Sequence, residues 1–122
     1  MRTSPKLITA LKPNEIIVFG SNGQGIHAGG LAKYCHANFG AEWGIGYGRT
    51  GQCYAINTMD GLKVIRTQIG LFIDYAKDNP DLIFLVTEIG TGIAGHKIED
   101  IAPLFKDCID IENIYLPESF LP

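Results

Sequence analysis

Two oily runs constrain this chain more than any other feature: EIIVFG at 15–20 and DLIFLVTEIG at 81–90. Both are rich in β-branched and aromatic residues, the composition of a buried strand. Each ends in glycine, passes through a loop of small residues, and meets a segment with helical spacing. A helix that follows a buried strand must pack back on the sheet it left. Repeating that unit yields parallel strands joined by crossover helices.

The remaining segments extend the pattern. SPKLITAL (4–11) predicts a short helical turn, with Ser4 as cap and Pro5 as first helical residue. LAKYCHANFG predicts a helix stopped by Gly40, its inner stripe made by Leu31, Tyr34 and Cys35 with Asn38 or Phe39. AEWGIGYGRTG is too glycine-rich for regular structure, and QCYAINT (52–58) predicts a second strand. From Leu62 to Asp78 the apolar residues Ile65, Ile69, Phe72, Ile73 and Ala76 share one helical face, and DNP ends that helix. DLIFLVTEIG reads as a central strand covered on both faces. A helix over 97–106 would turn Ile98, Ile101, Ala102 and Phe105 inward, and NIYLP closes as a last strand. The class is therefore α/β, with a largely parallel or mixed sheet.

Bulk properties narrow the function. The 122 residues suit a single domain spanning 1–122, and 46% hydrophobic against 19% charged residues supply a core. The net charge of -3 argues against non-specific nucleic-acid binding. Cys35, Cys53 and Cys108 form no CxxC pair, and His27, His36 and His96 have no metal-ligand spacing, so neither a metal site nor a cofactor is indicated. No run reaches membrane-spanning length and the N-terminus lacks a signal-peptide core. A cytoplasmic protein with reduced thiols and no membrane partner is expected. The sequence leaves its oligomeric state open.

Glycine carries the most information. There are 15 in 122 residues, against a usual share of about 7%, and most cluster at 20–30, 40–51 and 90–95. The first and third clusters follow buried strands, at the sheet edge where ligands of α/β folds bind. Glycine-rich turns let main-chain amides face a guest, and helix N-termini add a positive dipole. The two loops together can hold a diphosphate, with side-chain bonds from Asn22 and Thr91 and one nearby cation, Lys97. GSNGQG gives G-x-x-G-x-G without the lysine and hydroxyl of a Walker loop.

The polar candidates each have two readings. His27, in the first loop, is a general base or ribose contact within ligand reach, or an exposed loop histidine. Glu88 is a ribose-hydroxyl acceptor or a partner for loop amides. Asp60 is the remaining acid for hydrolysis, or a turn residue in DG. His96 reads as a helix cap and His36 as a surface residue. Trp43, Tyr47 and Tyr54 can stack on a base, and WGIGYG is either a mobile lid or a packed surface loop. Cys35 and Cys53 lack a setting that would make a thiolate nucleophile.

VFGSNGQGIHAGGLAKYCHANFG resembles the first ligand loop and helix of macrodomains, and IFLVTEIGTGIAGHKIEDIAPLF resembles their second loop. The likeness covers most of residues 15–106 and is to small macro-like proteins of bacteria and phages. It implies a three-layer α/β/α sandwich that binds ADP-ribose or a related nucleotide. It would set Asn22 against the distal ribose. Gly25, His27, Ala28, Gly29 and Gly30 would line the first phosphate loop, and Gly90, Thr91, Gly92, Ile93 and Ala94 would wrap the diphosphate. The chain departs from the pattern where many of these domains carry an adenine-reading aspartate, since 1–14 contains none. Ala32 and Ala94 stand where hydrolytic branches carry acids. Binding is thus the leading expectation. The alternatives are hydrolysis of ADP-ribosyl or related phosphoester bonds by Asp60, Glu88 or His27, and an interaction module that keeps the fold without the pocket.

Overall fold

The computed structural model describes residues 3–27 and 29–122. Its strands are β1 (Glu15–Ser21), β2 (Gly48–Thr50), β3 (Cys53–Asn57), β4 (Ile83–Val86) and β5 (Ile114–Tyr115). Its α-helices are α1 (Gly30–Asn38), α2 (Leu62–Asp78) and α3 (Ile98–Ile101). Short 3-10 helices follow at Ala102–Cys108 and Glu118–Phe120.

The five strands make one sheet in the order β2-β3-β1-β4-β5. All pairings are parallel except the β2–β3 hairpin, so the fold is α/β with a mixed sheet. β1 takes the centre because Ile16, Ile17, Val18 and Phe19 are all fully buried, which only a strand covered on both faces permits. Its alternation sorts two cores. Ile16 and Val18 join Ile65, Ile69, Phe72 and Ala76 of α2, together with Ile101 and Phe105. Ile17 and Phe19 join Cys35 of α1, Cys53, Ala55 and Leu85. Phe72 meets Phe84 edge-on with ring centroids 5.4 Å apart. Each large side chain so buried contributes about 1.5–3 kcal/mol.

Four expectations need correction. Residues 4–11 form no helix. Ser4 instead donates its amide to Leu116 O at 2.9 Å and its hydroxyl to Val86 O, satisfying carbonyls at the ends of β5 and β4. That anchoring draws the segment across the sheet edge and buries Ile8 against the second core. Second, the glycine-rich stretch contains β2, paired Gly48 to Ala55 and Thr50 to Cys53. Gly51, at φ +57, makes the tight hairpin turn. Third, the helix expected over 97–106 is α-helical only through Ile101. Pro103 has no N–H for the next α bond, and the chain tightens into a 3-10 turn. Fourth, β4 lies one place off the centre, beside β1, although it is paired on both edges and buries Phe84 and Val86 on one face and Leu85 on the other, as expected. By contrast α2 runs over the expected residues, and Gly40, at φ +84, follows the end of α1.

Candidate ligand cleft

β1 and β4 are neighbours, so the loops leaving their carboxyl ends face each other. Between them lies a cleft of about 820 Å³. Asn22, Ile26, Gly29 and Gly30 line it from the first loop, Glu88 and Gly90 to Ala94 from the second, and Thr58 and Met59 from the end of β3. The two glycine loops are thus brought together, and Ala28 lies outside the described residues.

Asn22 builds the first loop. Its Oδ1 accepts from the amides of Gln24 at 3.1 Å and Ile26 at 3.0 Å, while Nδ2 donates to Ile26 O at 2.9 Å. Both carbonyl lone pairs are therefore used locally, and one Nδ2 proton has no acceptor among the described residues. Gly25 sits behind the loop rather than on the cleft. Its φ is +66, and a Cβ there would lie 2.3 Å from Gly44 C and Ile45 N. The chain then enters α1 through Gly29, whose extended backbone brings no side-chain cap. The first-turn amides of α1 have no intrahelical acceptor, and no acidic residue occupies that turn.

The second loop is held at its ends and open in its middle. Ile89 N donates to Thr87 O, Gly95 N to Gly92 O and His96 N to Gly90 O. Thr91 Oγ1 donates to Glu88 O at 2.7 Å. The amides of Gly90, Gly92, Ile93 and Ala94 have no protein acceptor among the described residues, while the turn at 89–90 brings the Thr91 amide toward Glu88 O. A run of amides with no carbonyl turned back on it is a nest for an anion or a carbonyl.

The acid and base candidates separate. His27 is 1% exposed and lines no part of the cleft, which corrects both of its sequence readings. Phe19 and Trp43 pack edge-on against its ring at centroid distances of 5.4 and 6.1 Å. Its Nε2 lies 2.8 Å from Glu42 O and must be the donor, leaving Nδ1 buried without a partner among the described residues. Asp60 accepts from Asn57 Nδ2 at 2.6 Å and lies outside the cleft lining, a turn-closing role. Glu88 does line the cleft, and Ser119 donates its hydroxyl to Glu88 Oε2.

Other candidates move as well. Tyr54 is a core residue 5.1 Å from Phe72, and burial pushes its phenol up to about 12. It is in no position to stack on a guest. Trp43 and Tyr47 are exposed, but neither lines the cleft. Their loop is support rather than lid: a Cβ on Gly46 would lie 2.2 Å from Asn22 O. His96 does not cap α3, whose N-cap is Lys97, with no side-chain bond. Cys35 and Cys53 are buried side by side in the second core, where contact with Cys53 and burial push the Cys35 thiol far up. Lys97 lies off the cleft, and the one cation lining it among the described residues is Lys6. Lys6, Leu7, Ile8 and Tyr34 were missed because the N-terminal segment read as a separate helical turn and Tyr34 as core. No signal in SPKLITAL marks Leu7 as a wall residue, since its 79% exposure is visible only in the fold.

Among the described residues no group of three or more His, Cys, Asp or Glu is placed to hold a metal ion. No helix among them is long and apolar enough to cross a membrane. A scan of protein-family models finds no match to this chain, and searches of curated proteins and of solved structures find none.

Proposed function

We propose that this cleft binds ADP-ribose or a related diphosphate nucleotide. The observation that carries the reading is the set of unpartnered amides at Gly90 and at Gly92 to Ala94, among the described residues, across one cleft from the uncapped start of α1. Two sets of main-chain donors on the opposite walls of one cleft suit a guest with two linked anionic groups. The rest of the wall argues for more than inorganic phosphate. Leu7, Ile26, Leu31, Met59 and Ile93 are exposed large apolar residues that line it, and they match the base and sugar faces of a nucleotide. The volume falls within the usual range for small-molecule sites of about 300–1,000 Å³. The resemblance of both loops to macrodomain loops points the same way, as would a three-layer arrangement around the sheet. Three free cysteines suit a reducing, cytoplasmic setting.

In this reading the second loop wraps the diphosphate and the amides at Gly29 and Gly30 meet it from the other side. Asn22 serves mainly by fixing the first loop, with one Nδ2 proton left to donate to a sugar hydroxyl. Hydrolysis is the weaker alternative and would fall to Glu88, since His27 is buried off the cleft and Asp60 closes a turn. The open volume also favours a binder over an interaction module with a filled pocket. Calorimetric titration with ADP-ribose, AMP and NAD tests the proposal. Saturable heat with ADP-ribose is expected. No heat and no thermal shift with any of the three at millimolar concentration would overturn it.

A further inference from the structure

Resting on the nucleotide reading of the cleft, we infer that His27 and His36 clamp α1, and that His27 is a positioning residue for the main-chain donors at the start of that helix. Asn22 fixes the first loop only as far as Ile26. His27 is the next anchor, its Nε2 donating to Glu42 O at 2.8 Å. His36, in the last turn of α1, donates from Nδ1 to Ala41 O at 2.6 Å. Two consecutive carbonyls thus hold both the approach to α1 and its far end. Trp43 follows them and packs edge-on against both rings, at 6.1 Å from His27 and 5.6 Å from His36, while the two imidazoles lie 6.1 Å apart.

The fold alone does not call for histidine at 27. The ring is 1% exposed, meets Phe19 edge-on, and leaves Nδ1 buried without a partner among the described residues. An unpaired buried acceptor costs stability, and an apolar side chain would fill the same space without that cost. What an apolar side chain lacks is the donor to Glu42 O. Ile26 and Gly29, on either side of His27, both line the cleft. The bond therefore sets where the chain enters α1 and where the first-turn amides stand. Donors fixed in advance bind a guest at a lower ordering cost than donors that must be gathered. His27 itself lines no part of the cleft and acts through the helix start.

The test is calorimetry with ADP-ribose, AMP and NAD on the wild type, His27→Leu, His27→Gln and His36→Ala. Thermal unfolding and amide exchange of the first turn of α1 accompany it on the free proteins. His27→Leu should unfold within about 4 °C of the wild type or above it, since Glu42 O keeps the Ile45 amide as a donor at 3.3 Å. Its ADP-ribose affinity should nonetheless fall about tenfold or more, and its first-turn amides should exchange faster. His27→Gln carries an amide that can donate to the same carbonyl, and should recover affinity to within about threefold of the wild type. His36→Ala changes an exposed position and should lose about three- to tenfold. Unchanged affinity in His27→Leu overturns the inference while leaving the nucleotide reading standing. So does a loss that tracks the thermal midpoint across the variants, or a His27→Gln that binds no better than His27→Leu. If His27→Leu does not fold, unchanged affinity in His36→Ala overturns the inference instead. A wild type that binds none of the three nucleotides overturns the nucleotide reading. The clamp is then decided by exchange alone, and first-turn amides equally protected in the wild type and both clamp variants overturn it too.

Discussion

The glycines of this chain do two different jobs, and single substitutions separate them. Gly25 is required by the fold: its φ is +66 and a Cβ would strike the backbone of Gly44 and Ile45. Gly25→Ala combines left-handed strain with overpacking and should cost about 2–5 kcal/mol, read as a fall in the urea-unfolding midpoint. Gly92 has no such need, since its φ is not positive and a Cβ there meets nothing within 4 Å. Gly92→Ala should leave stability within about 0.5 kcal/mol. It should nonetheless weaken ADP-ribose binding by about tenfold or more, because the methyl stands where the guest meets the amides. A harmless Gly92→Ala with full affinity would remove the second loop from the site. Two buried acids give a pH signature at this same scale. Burial pushes the Cys108 thiol from 9.0 up to about 12 and the Tyr54 phenol from 10.0 to about 12. Both fold best in their neutral forms. Their contribution is complete below the unfolded values and is lost as pH rises from about 9 toward about 12. The unfolding midpoint should therefore drop across that window, and Cys108→Ala combined with Tyr54→Phe should flatten the slope.

Among the elements, α2 is the one whose sequence speaks most directly. Ile65, Ile69, Phe72 and Ala76 recur at helical spacing and are the four residues it buries. Its opposite face holds Gly70, where a Cβ would meet nothing within 4 Å. Gly70→Ala should stabilise the protein by about 0.5–1 kcal/mol, through higher helix propensity and a less flexible unfolded chain. Thermal unfolding measures it, and an unchanged or lower midpoint would contradict the view that this face is free. β1, β3 and β4 were legible for the same reason as α2, since their burial is written in adjacent residues. What escaped depends on distant partners. Ser4 is shaped by Val86, 82 residues away, and nothing in SPKLITAL records that. β2 is three residues long and begins with glycine, so it carries no alternation to detect. The proline at 103 was visible, but its effect on a short helix depends on packing against the core. At the site, both glycine loops were legible because glycine marks backbone geometry. The burial of His27 was not, because it follows from Trp43 and Glu42 of a later loop. The Lys6 wall escaped along with the N-terminal segment that carries it.

At the scale of the whole molecule, the distribution of charge sets how an anion can be held. The protein carries a net charge of -3, and among the described residues its proposed anion site has one lysine, Lys6, and one carboxylate, Glu88, on its walls. Sites built on several lysines and arginines lose affinity steeply as salt rises, because exposed charges are screened beyond about 10 Å at 0.1 M salt. In the proposed site the attraction would come from fixed main-chain dipoles at contact distance, which screening reaches poorly. The long-range field of the protein is weakly repulsive to an anion, and added salt screens that repulsion too. The two effects oppose each other. ADP-ribose affinity should therefore change by less than about threefold between 50 and 200 mM sodium chloride, and Lys6→Ala should weaken it by only a few-fold at the lower salt. Titrations at both ionic strengths decide the matter. A fall of tenfold or more, abolished by Lys6→Ala, would mean that a side-chain cation holds the guest. The free amides of Gly90 and of Gly92 to Ala94 would then be a feature of the loop rather than the binding device.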